Sequence, residues 1–153
     1  IGDCYFLAAL SALAEEPQRI ADIFLTKGRT TLVAMRETVL KGEAKIVVVD
    51  DYFPYDETPE KDHWAFGRVS ETWEIWVNIL EKACAKMVGS FEAMEGGKPC
   101  SAFMSLTGFP SDVLRHKNVS VEELWNFVIK SAVLNQPTTC SVNLNIGGDF
   151  GQK

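Results

Sequence analysis

Between positions 72 and 88, apolar residues return at steps of three and four: Trp73, Trp76, Val77, Leu80, Ala83, Cys84 and Met87. On a 3.6-residue period they form one stripe, and a stripe of that width needs an apolar partner to cover it. The spacing predicts a helix over 72–88, closed by Gly89, around which the remaining segments must pack. Residues 4–14 read as a helix capped by Asp3, with Cys4, Leu7, Ala8 and Ser11 on one face. Pro17 opens a short second helix that turns Ile20, Ile23 and Phe24 inward and ends at Gly28. Residues 31–36 and 44–49 read as strands, the second rich in β-branched side chains and broken by Asp50, Asp51 and Pro54. The polar stretch 56–70, with Pro59 and Gly67, reads as a loop, and 95–99 as a turn. Ser120 and Glu123 have capping-box spacing and open a helix with the stripe Leu124, Trp125, Val128 and Ala132. That helix should stop near Gln136-Pro137, after which 139–145 alternates as a last strand.

The resulting class is α+β: one mainly helical unit with a few short strands and no internal linker. Its 46% hydrophobic and 24% charged content suits a globular core and excludes a disordered chain. A net charge of −6 without a Lys/Arg cluster gives no electrostatic reason to bind nucleic acid or anionic membrane. No stretch is apolar for long enough to form a transmembrane helix. Cys4, Cys84, Cys100 and Cys140 are too widely and irregularly spaced for a zinc site or a disulfide scaffold. They read as reduced thiols of a cytoplasmic protein. Both ends have the look of cuts, Ile1 at the start and Lys153 after a glycine-rich run.

Cys4 concentrates the chemistry. The run from Gly2 to Leu10 puts a thiol in the first turn of an apolar helix. Unpaired N–H groups make that end partially positive, a field that favours the thiolate, which is the nucleophilic form. The Cys4 N–H could also serve an oxyanion. Position alone fits a small buried hydrophobe as well as a nucleophile.

Gly2-Asp3-Cys4, an aromatic and then Leu7-Ala8-Ala9-Leu10 closely resemble the active-site helix of calpains, cysteine proteases of papain type. Tyr5 stands where most animal calpains have Trp. Val47-Val48-Val49-Asp50-Asp51-Tyr52-Phe53-Pro54 resembles the calpain strand and its turn, and the run from Glu74 to Lys86 is similar to the calpain central helix. Gly89-Ser90-Phe91-Glu92-Ala93-Met94, the pair Gly96-Gly97 and Leu106-Thr107-Gly108 continue the resemblance in the same order. It implies a papain-like catalytic lobe over 1–153, with the second lobe incomplete and the remainder of the catalytic domain as its partner.

The resemblance further implies a calcium-dependent endopeptidase acting on protein or peptide substrates, with Cys4 as nucleophile. Gly97, beside Gly96, would lie against substrate backbone, and Glu74 would match a calcium ligand of the family. Gly96-Gly97 also reads as a plain turn, and Glu74 as a first-turn helix glutamate. The family's oxyanion Gln falls before Ile1, and its His and Asn after Lys153. His63 and His116 read as solvated loop residues, so the 153 residues alone should show negligible proteolysis. Cys84, Cys100 and Cys140 read as packing residues, Trp73, Trp76 and Trp125 as core, and Asp50-Asp51 as a turn. An inactive calpain-like scaffold, or a Cys-His acyl transferase or transglutaminase on a related fold, remain open at this level. An isolated lobe should also expose the face that meets its partner.

Overall fold

The computed structural model describes residues 2–26, 32–36, 44–56, 63–64 and 74–141. Among the described residues five helices dominate: α1 (Cys4–Ala14), α2 (Pro17–Ala21), α3 (Trp76–Val88), α4 (Pro99–Thr107) and α5 (Val121–Val133). Four short strands, β1 (Leu32–Arg36), β2 (Ala44–Val48), β3 (Tyr55–Asp56) and β4 (His63–Trp64), form two separate antiparallel pairs, so the class is α+β. In the first pair Leu32 faces Val48 and Arg36 faces Ala44; in the second, Tyr55 faces Trp64.

α3 is the centre. It packs against α1, β1, β2 and a 3-10 turn over Glu92–Met94, while α1 also holds α2 and α4. α3 starts at Trp76, later than the predicted 72, with Ile75 as its cap; Trp73 lies outside the described residues. Its buried arc is wider than the apolar stripe, because α3 has neighbours on several sides. Ile79, Leu80, Ala83, Cys84 and Ala85 are buried, and so are Asn78 and Glu81, while Trp76, Val77 and Met87 pack at the margin. α1 contributes Phe6, Ala9, Leu10 and Leu13, at helical spacing. Ile20 and Ile23 turn inward as the sequence requires, and Phe24 packs partly buried beside them. α2 already ends at Ala21, and Gly28 lies outside the described residues.

Val47 and Val49 point into the core while Ile46 and Val48 are exposed, the two-residue period of a half-buried strand. Beyond β2 the chain turns at Asp50, whose Oδ1 accepts from the Tyr52 N–H at 3.0 Å. Lys82 of α3 pairs with the Asp50 carboxylate and donates to the Tyr52 carbonyl at 2.6 Å, and Lys86 donates to the Val48 carbonyl at 2.7 Å. The Lys82 bond holds the Asp50 carboxyl below its ordinary range. Asp50 thus serves a turn, in keeping with its place after a strand.

Four expectations need correction. The stretch 56–70 contains a two-residue strand, β4, paired with β3. The expected turn over 95–99 gives way at its end to α4: Pro99 is the first residue of that helix, and Gly108 closes it in the left-handed conformation (φ 73°), its N–H bonded to Met104 O at 2.8 Å. α5 has the full Ser120–Glu123 capping box, with bonds of 2.8 and 3.1 Å, yet Ser131 is its one buried residue. Trp125 is 62% exposed, and Val128 and Ala132 are exposed with it, because no described element covers that face. Finally, residues 139–141 form no strand, and the rest of that segment lies outside the described residues.

Leu80 is fully buried at the centre of this packing. Leu80→Ala should cost about 2–5 kcal/mol, the usual range for a buried Leu truncation, measured by chemical denaturation.

Candidate active site

α1 buries Phe6, Ala9, Leu10 and Leu13, so Cys4, two residues before Phe6, falls on the opposite side. Its thiol is exposed in the opening turn, while Leu7 and Ala8 are half-buried and Ser11 is exposed. The Asp3 carbonyl accepts from the N–H groups of Phe6 at 2.8 Å and Leu7 at 3.2 Å and so starts the helix. The Asp3 side chain makes no capping bond, contrary to expectation. It turns inward instead, to 5% exposure, and its Oδ2 has no hydrogen-bond partner.

The Gly96-Gly97 segment comes to the same place. The 3-10 turn over Glu92–Met94 anchors it through Met94, which is buried at 1% exposure. Gly96 then reverses the chain at φ 76°, a conformation glycine adopts without strain. Its N–H donates to the Gly2 carbonyl at 3.2 Å, which ties the glycine turn to the residues just before Cys4. Gly97 is glycine for a different reason: a Cβ there would lie within 2.5 Å of Cζ, Cε1 and Cε2 of the Tyr5 ring. Gly2 is not forced by space, since a Cβ on it would meet Glu95 only at an ordinary 3.8 Å.

Beneath the opening of α1 lies a buried polar floor that the sequence did not announce. Cys84 and Glu81 of α3 are 5% and 2% exposed, and Asp3 joins them from above. Burial, with the Asp3 and Glu81 carboxylates adding to it, pushes the Cys84 thiol up to about 12. Burial also raises the Tyr5 phenol, with smaller contributions from Cys84 and Asp3. Asn78 and Glu81 interrupt the apolar stripe at positions a three-residue step apart, a pattern that reads as a polar margin until α3 is seen enclosed.

The structure therefore brings Gly96 to Gly2 and Gly97 to Tyr5, residues on either side of Cys4. Glu74 is exposed and stands before the cap of α3, so it is not a first-turn residue of that helix. Among the described residues no group of three or more His, Cys, Asp or Glu is placed to hold a metal ion. His116 is exposed on a 3-10 turn, His116–Asn118, and His63 lies in β4. Cys84 is buried and Cys100 half-buried, as packing residues should be, but Cys140 is exposed. A shallow hollow lined by Lys45, Ile46, Val47, Val48, Lys86 and Met87 lies on the seam of β2 and α3 and does not include Cys4.

The Cys4 thiol is thus exposed at a helix opening beside glycine backbone, where a ligand can reach it. The chain belongs to the calpain family of cysteine proteases, whose family model matches residues 1–150. It is 42% identical over 113 residues to the calpain-type cysteine protease DEK1 of Zea mays, covering 71% of this chain and 5% of that protein. Human calpain-12 is 33% identical over 119 residues, covering 74% and 16%. The bovine calpain-1 catalytic subunit is 27% identical over 158 residues, covering 95% and 20%. The chain thus spans a small part of each of these relatives.

Iodoacetamide applied to the folded protein at neutral pH should label Cys4 and Cys140 and spare Cys84, read by peptide mass mapping. Cys84 keeps its proton to about 12 when folded, against 9.0 for an ordinary thiol. Between those values the unfolded state holds fewer protons, so stability is full below pH 9.0 and falls as pH rises toward about 12. Cys84→Ala should remove that part of the slope in denaturation curves taken across the range.

Proposed function

We propose that the protein containing this chain is a cysteine endopeptidase in which Cys4 forms the acyl-enzyme. The observation that carries the reading is the exposed Cys4 thiol at the opening of α1, hydrogen-bonded through Gly2 into one unit with Gly96-Gly97. In this reading the Cys4 thiolate attacks the scissile carbonyl carbon, and the electron pair of the C=O bond moves onto oxygen. The tetrahedral intermediate collapses, the C–N bond breaks, and the leaving amine takes the proton that the thiol gave up to a base. Water then hydrolyses the thioester, returning the thiol and releasing the acid. N–H groups of the opening turn, that of Cys4 among them, face the developing oxyanion. The extended substrate lies along Gly97, pairing backbone with backbone.

Residues 1–153 act here as one papain-like lobe, and the base belongs to the remainder of the catalytic domain. The face of α5 that no described element covers supports a lobe that packs against further protein. The free state of all four cysteines supports a cytoplasmic protein. No described helix is long and apolar enough to cross a membrane. Calcium enters as a regulatory ion, on the strength of the calpain resemblance. The exposed Glu74 carboxylate offers it a hard oxygen, but the described residues assemble no ligand set around that carboxylate. No chemical step runs through the ion.

In the full-length protein, Cys4→Ser should lower hydrolysis of fluorescein-labelled casein by about 10³-fold or more, in line with removal of a catalytic nucleophile. Unchanged hydrolysis would remove the acyl-enzyme reading and leave the scaffold alternative standing. Glu74→Gln should raise the calcium concentration at half-maximal activity by about fivefold, a small coupling energy. An unmoved midpoint removes Glu74 from the calcium site.

A further inference from the structure

Tyr5 sits directly after Cys4. Its half-buried ring packs against the hydrophobic core. The end of the ring that carries the hydroxyl lies where a side chain on residue 97 would go. Gly97 needs no left-handed conformation, unlike Gly96, so crowding by Tyr5 is what restricts this position to glycine. The ring is rigid, with two side-chain torsions, and is held against the buried core. It therefore acts as a fixed stop beneath Gly97. Because Tyr5 is bonded to Cys4, the stop and the sulfur share one helix turn.

We propose that Tyr5 is a positioning residue whose ring, seated against Gly97, sets the height of the substrate-pairing backbone relative to the Cys4 sulfur. The inference rests on the cysteine-endopeptidase reading and deepens it by naming what holds the subsite in register. A displacement of about 1 Å in a substrate-positioning element can cost on the order of 10²-fold in rate, so the effect of such a stop is measurable. It acts on substrate binding and alignment and leaves the intrinsic reactivity of the thiol alone.

The test is a double-mutant cycle in the full-length protein, with fluorescein-labelled casein as probe. Gly97→Ala should raise KM by about tenfold, while iodoacetamide alkylates Cys4 at a rate within about twofold of the parent, a split between binding and thiol chemistry. Tyr5→Ala should also raise KM, and Tyr5→Phe should recover most of that loss, since the ring and not the hydroxyl is the stop. Tyr5→Ala/Gly97→Ala should bind at least about threefold better than Gly97→Ala alone, because the added methyl then has room. Continued protection of Cys84 from alkylation shows that each variant is folded; where Tyr5→Ala exposes Cys84, Tyr5→Leu takes its place. The same cycle on a Cys4→Ala background, read by anisotropy of the labelled casein, measures binding without turnover. A harmless Gly97→Ala, losses that simply add in the double variant, or no casein binding at all would each overturn the proposal. Hydrolysis that survives Cys4→Ser counts instead against the endopeptidase reading and leaves the binding cycle to decide this one.

Discussion

The hydrogen bond from the Gly96 N–H to the Gly2 carbonyl is what turns two distant stretches of chain into one site. Each half is placed by a different element. The first is placed by α1, whose buried side dictates that Cys4 faces outward. The second hangs from the 3-10 turn that Met94 anchors against α3. A single neutral hydrogen bond contributes only about 1 kcal/mol net, so it joins these halves without being what stabilises them. Its value is geometric: it fixes where glycine backbone runs relative to the helix opening.

α3 supplies the stability. It touches both α1 and the first strand pair, and its two lysines reach across to carbonyls at the end of β2 and in the turn beyond it. The same enclosure explains the polar floor. A helix covered on several sides buries part of its polar margin as well, and here Asn78 and Glu81 are taken in. Asp3 is turned inward as well, and its carboxylate and that of Glu81 both bear on the buried Cys84. That setting keeps the Cys84 thiol protonated and inert, so one of two cysteines near the site is silenced while the other faces solvent.

Period and punctuation carried much of this in the sequence. The capping box of α5, Pro17 at the start of α2, and the β-branched run of β2 were legible because each depends on residues close together in the chain. α4 was legible in principle, from Pro99 at its start and Gly108 at its end, but a neighbouring Gly-Gly pair made the proline look like part of a turn. The exposure of Trp125 was not legible. Helical spacing says which residues share a face and nothing about whether a partner covers it. The same limit applies to the site. Cys4 and the glycines stand out by type, whereas the Tyr5–Gly97 contact and the inward turn of Asp3 exist only once α1 and the glycine turn meet.

Three consecutive residues divide the labour at the site. Asp3 turns its side chain inward, Cys4 presents sulfur to solvent, and the Tyr5 ring lies against Gly97. The most direct measurement is to trap the acylated atom. The full-length protein is incubated with a peptidyl chloromethyl ketone, digested, and the adduct located by mass spectrometry. The account predicts the peptidyl mass on Cys4 and on no other cysteine. An adduct confined to Cys100 or Cys140, with Cys4 unmodified, would contradict it.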